Sequence, residues 1–253
     1  MSQEITVNRA GRALHIRLDR ADKRNAVTRS MYEAMTEAIA IAETDPAIRA
    51  VLFSGAGDAF CAGNDLNDFV GDPPTGMEAF RFLRAISTAQ KVLVAAVHGA
   101  AVGIGTTLLL HCDLVVAVRS ARLSLPFVAL GLVPEAASTL LLPRAVGHLR
   151  AAELLLLGEP IDAETALRWG LVNRIVDDER LIDAAMELVT RVASLPPAAV
   201  RLTKQLLKDD RGGVGVRIEQ EADIFVDRLK SPEFQEAVSA FLEKRPPDFS
   251  RFN

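Results

Sequence analysis

Two glycine-rich turns and one glutamate are the places where this chain could do chemistry. Ser54-Gly55-Ala56-Gly57-Asp58-Ala59-Phe60-Cys61-Ala62-Gly63 and Gly99-Ala100-Ala101-Val102-Gly103-Ile104-Gly105 each follow an apolar run, and the second opens into a helical pattern. The first turn of a helix leaves N–H groups unpaired at the positive end of the aligned peptide dipoles, so Gly103-Ile104-Gly105 could hold an anion or a developing oxyanion. A tight strand-to-helix turn with no ligand would use the same residues. Glu135 stands among Leu130, Leu132, Val133, Ala136 and Ala137. Such a setting favours the neutral acid and moves a glutamate from about 4.3 toward the roughly 6–7 that suits a proton shuttle. A glutamate in the first turn of a helix, favoured by the dipole, fits the same pattern.

Other chemistries find no support. There is no G-x-G-x-x-G, no Gly-Lys-Ser/Thr phosphate loop and no G-x-S-x-G elbow. His15, His98, His111 and His148 lack metal-ligand spacing, and Cys61 and Cys112 are too few for a disulfide framework or a cysteine metal site. Neither a metal nor a separate cofactor is expected. A net charge of −4 offers no basic excess for nucleic acid or an anionic membrane. The longest apolar runs, Val92–Val97 and Leu114–Val118, fall far short of the roughly 20 residues of a membrane span. The alternating N-terminus lacks the apolar core of a signal peptide, and a reduced, cytoplasmic protein is expected.

The elements that must position these residues follow from periodicity. Ile5–Asn8 and Ala13–Leu18 alternate around Ala10-Gly11-Arg12 and predict a hairpin. From Thr28, a candidate cap, Met31, Ala34, Met35, Ala38, Ile39 and Ala42 fall on one helical stripe. Ala50–Ser54, Val92–His98 and Leu114–Val118 predict buried strands, with an apolar helix between the last two reaching about His111. After Pro134 strand signals fade. Helices are expected from Asp162 to Gly170, over Glu179–Ser194, and after Pro196, Gly215 and Pro232. Asp72-Pro73-Pro74-Thr75-Gly76 predicts a mobile loop. Alternating strands and helices argue for an α/β protein, and with only 5% aromatic residues its core must be packed mainly with Ala, Leu and Val.

The two turns, extended through Asn64-Asp65-Leu66 in the first, together resemble the signature segments of the crotonase superfamily, the enoyl-CoA hydratases and isomerases. Arg24-Asn25-Ala26, Pro143-Arg144-Ala145-Val146-Gly147, Ala163–Val172 and Ala240-Phe241-Leu242-Glu243-Lys244-Arg245-Pro246-Pro247 extend the resemblance over nearly the whole chain. It implies a crotonase-like α/β spiral of ββα units over residues 1–195 and a C-terminal helical oligomerisation region over 196–253, assembled as a homotrimer or a dimer of trimers. It implies an acyl-CoA thioester substrate, with coenzyme A arriving as part of that substrate. The main-chain N–H groups of Asn64 and Ile104 would stabilise an enolate, and Ala62, Gly63, Asp65, Leu66 and Gly103 would line the substrate around them. Phe127 and Leu132, with Phe80, Phe82 and Leu83, would line the acyl pocket, core packing being the default for any one of them. Lys23, Arg24 and a neighbouring subunit's Lys244 would meet the CoA phosphates, or else be solvated surface charges. Asp65 is as readily a local hydrogen-bonding residue, and Tyr32 and Trp169 are packing residues.

Family hydratases use two glutamates, and the matching positions here hold Thr107 and Phe127. Glu135 instead stands where the resemblance to 3-enoyl-CoA to trans-2-enoyl-CoA isomerases implies a single proton-shuttling glutamate. That resemblance implies an isomerase. The alternatives are an enoyl-CoA hydratase and a catalytically silent acyl-CoA-binding subunit, against which the two turns and Glu135 speak together.

Overall fold

The computed structural model of the chain describes residues 4–69, 77–209 and 213–252. The loop expected over Asp72–Gly76 lies outside these. Strands β1 (Ile5–Ala10) and β2 (Ala13–Leu18) form the expected antiparallel hairpin around Gly11, whose φ of 61° is one that glycine adopts freely. Strands β3 (Ala50–Gly55), β4 (Val92–Val97), β6 (Leu114–Val118) and β9 (Arg174–Val176) then add in parallel, giving the order β1-β2-β3-β4-β6-β9. A second sheet holds β5 (Ala100–Val102), β7 (Arg122–Ser124) and β8 (Ile161–Asp162). The helices are α1 (Arg29–Thr44), α2 (Met77–Thr88), α3 (Ile104–Thr107), α4 (Ser138–Val146), α5 (His148–Ala152), α6 (Ala163–Arg168), α7 (Leu181–Ser194), α8 (Pro197–Asp209), α9 (Val214–Arg228) and α10 (Pro232–Leu242). This is the expected α/β architecture with a helical C-terminal region.

Sequence explains the layering. Strands buried on both faces read as unbroken apolar runs, and β3 and β4 divide their side chains accordingly. Val51, Phe53, Leu93, Ala95 and Val97 join the core under α1 and α2, while Ala50, Leu52, Val92, Val94 and Ala96 pack with Leu181, Ala185 and Leu188 of α7. Thr28 caps α1, its hydroxyl accepting the Met31 N–H at 3.3 Å, and Asp162 caps α6 by accepting the Thr165 N–H at 2.8 Å.

Two expectations are corrected. The segment after the second turn is not one helix to His111: α3 is a single turn, followed by a 3-10 turn at Leu108–Leu110, and Ala100–Val102 before it is a strand. Strands also continue beyond Pro134, because β8 and β9 have only two and three residues, too few for alternation to show.

One tie joins the helical region to the main sheet. The Lys204 ammonium of α8, 5% exposed, donates to the Asp113 carboxylate at 2.7 Å and to the Lys91 carbonyl at 2.5 Å, and Asp113 also accepts the Leu93 N–H. Removing one partner of a buried pair strands the other charge. Lys204→Met is expected to lower the unfolding free energy by about 3 kcal/mol in denaturant titration; an unchanged midpoint would show that the tie contributes nothing.

Candidate active site

The two glycine turns lie side by side. Cys61 and Ala101 form a parallel bridge, with the Cys61 N–H donating to the Ala100 carbonyl and the Val102 N–H to the Cys61 carbonyl. Gly105 is needed for this approach, because a Cβ there would stand 2.8 Å from both the Cys61 Cβ and its carbonyl oxygen. A second bridge joins Val27 and Asn64, through Val27 N–H to the Gly63 carbonyl and Asp65 N–H to the Val27 carbonyl. In a parallel bridge the central residue turns its own N–H away from the partner strand. Among the described residues, no protein acceptor takes the N–H of Asn64 or of Ile104, the first residue of α3. Gly103, at φ 53° and ψ −116°, makes the reversal into α3, and a Cβ there would lie 4.0 Å from the Gly63 Cα.

Both N–H groups belong to residues lining one cavity of about 410 Å³, together with Lys23, Ala62, Gly63, Asp65, Leu66, Gly103, Phe127 and Leu132. The turn residues expected around a substrate are thus brought together. Asn64 and Asp65 also line a second cavity of about 280 Å³, whose wall includes Tyr32, Phe80, Leu83, Glu135 and, from α9, Ile218 and Phe225. The two cavities share Asn64, Asp65 and Phe225 in their walls. Mostly apolar walls with a few convergent polar groups are the usual make-up of a small-molecule site.

Glu135 is 7% exposed. It does not sit in a first helical turn: Ala136 and Ala137 follow it in left-handed backbone, φ 60° and 55°, and α4 begins only at Ser138. Burial pushes its carboxyl up to about 7, against the pull of the Thr107 hydroxyl, which donates to Oε1 at 3.3 Å, and with help from the nearby Glu221. A carboxyl poised near neutrality beside an open cavity can take and return a proton.

Several other groups hold this arrangement. The Tyr32 hydroxyl donates to the Asn64 Oδ1 at 2.5 Å, and its ring packs 5.5 Å from that of Phe82. Tyr32 therefore belongs to the site's wall as well as to the core. Arg20 pairs with Asp65 at 2.6 Å and with Glu4 at 2.7 Å, and Asp65 accepts from Asn67. Burial alone would raise the Asp65 carboxyl, but these partners hold it below its usual range. The buried Asn25 donates to the Ala56 and Ala59 carbonyls at 2.8 and 2.7 Å, bracing the first turn. Asn25, inside the Arg24-Asn25-Ala26 motif, and Asp65, read as a local hydrogen-bonding residue, carried a signal in the sequence; Arg20 did not.

Three further candidates line neither cavity of this chain. Arg24 is exposed and faces Asp58 at 3.8 Å; it supports the turn through its carbonyl, which accepts the Ala62 N–H. Phe82 is a core residue, edge-on to Phe53. Lys244, just past α10, lines neither cavity of its own chain. Among the described residues no cluster of His, Cys, Asp and Glu could hold a metal ion, and no helix is long and apolar enough to cross a membrane.

Paired unpartnered N–H groups, a neighbouring buried acid and a sheet-and-turn scaffold define the crotonase-fold class of α/β proteins. The enoyl-CoA hydratase/isomerase family signature matches residues 9–251, and the chain belongs to that family. It is 38% identical to the 1,2-epoxyphenylacetyl-CoA isomerase of Escherichia coli K12, over 92% of this chain and 93% of the relative. It is 33% identical to the 2,3-dehydroadipyl-CoA hydratase of the same organism, over 97% and 98%. The crystal structure of an enoyl-CoA hydratase/isomerase from Pseudoalteromonas atlantica T6c superposes with a TM-score of 0.93 at 43% identity, covering 98% of this chain and all of the other. Pseudomonas aeruginosa OdaA superposes at 0.92 with 48% identity, over 95% and 99%.

The carboxyl held near 7 has a consequence for stability. Unfolded, Glu135 loses its proton near 4.3; folded, it keeps the proton up to about 7, so stability falls as pH rises between these values. Glu135→Gln is therefore expected to unfold like the wild type at pH 4 and to be more stable by up to about 3 kcal/mol at pH 8. Equal stabilities at pH 8 would show that the carboxyl is not held neutral.

Proposed function

We propose that the protein isomerises 3-enoyl-CoA to trans-2-enoyl-CoA, with Glu135 as the single proton shuttle. The observation that carries this reading is one buried carboxyl, poised near neutrality, in a cavity that shares wall residues with the Asn64 and Ile104 cavity. The thioester carbonyl would accept both N–H groups and the acyl chain would run past Glu135 between Phe80, Leu83 and Phe225. The Glu135 carboxylate takes a proton from C2, and the electrons pass into a dienolate whose charge rests on the thioester oxygen. The neutral acid then returns that proton to C4, the double bond settles between C2 and C3, and the carboxylate is restored. Each preorganised N–H contributes on the order of 3 kcal/mol to such a transition state.

The hydratase positions support this reading. Thr107 is in contact with Glu135 as a hydroxyl donor, and Phe127 places its ring 3.9 Å from where a Gly103 Cβ would be, so neither can present a second carboxylate to water. Lys23 beside the turns is the cation best placed to meet a CoA phosphate. The same reading carries an oligomer, in which exposed apolar residues such as Leu206, Leu207 and Leu242 would be covered.

Wild-type isomerase activity is expected to rise with pH through about 7 as Glu135 ionises, and Glu135→Gln to lose about 10²–10⁴-fold in kcat with little change in KM. The check is a pH–rate profile on a panel of 3-enoyl-CoAs, with crotonyl-CoA hydration measured alongside. Fast hydration indifferent to Glu135→Gln would establish a hydratase instead, and acyl-CoA binding with no turnover would establish a silent binding protein.

A further inference from the structure

The step that aims Glu135 into its cavity is held from a distant part of the chain. Ala136 and Ala137 both have positive φ, a conformation that costs about 1 kcal/mol or more for a residue with a Cβ and needs support from its surroundings. His111 supports it from one side, its Nε2 donating to the Ala136 carbonyl at 2.8 Å. Glu221 of α9, 4% exposed, supports it from the other: its Oε1 accepts the Thr139 N–H at 3.1 Å and the Thr139 hydroxyl at 2.5 Å, and the Ala137 N–H also faces it. Its other oxygen, Oε2, is buried with no hydrogen-bond partner. A capping role needs only one oxygen, and a buried unpartnered carboxyl oxygen is costly to keep.

We propose that Glu221 is the positioning residue of Glu135, fixing the left-handed Ala136–Ala137 step from α9 and standing as a second acid behind the shuttle. The two carboxyls repel when both are charged, and each is raised by burial. The pair therefore holds a proton where either acid alone would lose it at lower pH. The other groups facing Glu135 are Thr107 from α3, Tyr32 from α1 and the Cys61 thiol from the first turn, the last two neutral at pH 7 because burial pushes both up. Arg217 of α9 donates to the Thr139 hydroxyl at 3.1 Å. Around the cavity wall stand Arg29, Asp65, Asp68, Glu78 and Asp223.

The proposal rests on Glu135 being the shuttle, and its test does not need turnover. Full-length protein carrying glutamate labelled with carbon-13 at the side-chain carboxyl is titrated by NMR, the Glu135 signal being the one missing in Glu135→Gln. Glu221→Gln keeps an oxygen acceptor for Thr139 and removes the second acid. Its Glu135 midpoint is expected to fall by about one pH unit from the wild-type value. Glu221→Ala removes the support as well, and its kcat is expected to fall at least about tenfold with KM little changed, while Glu221→Gln recovers most of that loss at the pH optimum. An unmoved Glu135 midpoint in Glu221→Gln, or wild-type kcat in Glu221→Ala, overturns the proposal. If Glu221→Ala does not fold, the Glu221→Gln titration decides. A moved midpoint in a protein with no isomerase activity supports the coupling and refutes the isomerase reading.

Discussion

Keeping one carboxyl dry beside an open cavity is the constraint on which the rest of this structure turns. A carboxylate in an apolar setting is disfavoured by desolvation, and the chain meets that cost by letting Glu135 hold its proton up to about 7. Everything around it serves the same end. Thr107 supplies one weak hydroxyl contact in place of a charge, Tyr32 spends its hydroxyl on Asn64, and the Cys61 thiol is held neutral. Arg29, a cation on the wall of the same cavity, is engaged elsewhere, its guanidinium donating to the Asp68 carbonyl at 2.9 Å and its main-chain N–H to the Asp68 carboxylate at 2.8 Å. An arginine against Glu135 would fix it as a carboxylate and remove its usefulness as a shuttle.

The proposed reaction also requires a place for negative charge on the thioester, and the backbone geometry offers two N–H groups to it. Glycine at 63, 103 and 105 lets two chain reversals pack against each other, with Cys61 sitting where a Gly105 side chain would be. Because the Val27–Asn64 bridge turns the Asn64 N–H away and Ile104 opens α3, both N–H groups are unclaimed and the donors exist before any ligand arrives. This is the preorganised kind of stabilisation, which requires no rearrangement as charge develops. The proposed reaction joins the two features at Asn64, which lies in the walls of both cavities.

Much of this was legible in the sequence because the signals are local. Alternation gave β1 and β2, the Thr28 cap and the apolar stripe gave α1, and the glycine spacing gave both turns, while the Asn64 and Ile104 N–H candidates came from the family resemblance. For Glu135 the apolar neighbours left a shuttle and a first-turn residue equally open, and the family resemblance singled out the former. What was not legible depends on long-range pairing. Strands β8 and β9 exist because β7 and β6 offer them partners, and two or three residues show no period. Tyr32 read as a packing residue because nothing in its helix announces that Asn64 lies 32 positions on. Glu221 is 86 positions from Glu135, in a helix whose polar pattern looks like any solvated face, and only the fold buries it. Arg24 shows a different limit: its motif is legible, but that its carbonyl accepts the Ala62 N–H while its side chain stays in solvent is set by the fold.

The central claim is that one residue moves one proton across the substrate. It is tested most directly by incubating 3-enoyl-CoA in heavy water with wild type and Glu135→Gln and locating the label by mass spectrometry and NMR. Wild type is predicted to give trans-2-enoyl-CoA in which C4 receives mainly the proton taken from C2, deuterium entering C2 and C4 only as fast as the Glu135 carboxyl exchanges with solvent, with both product and label lost in Glu135→Gln. Label entering C2 and C4 equally fast in Glu135→Gln would contradict the account.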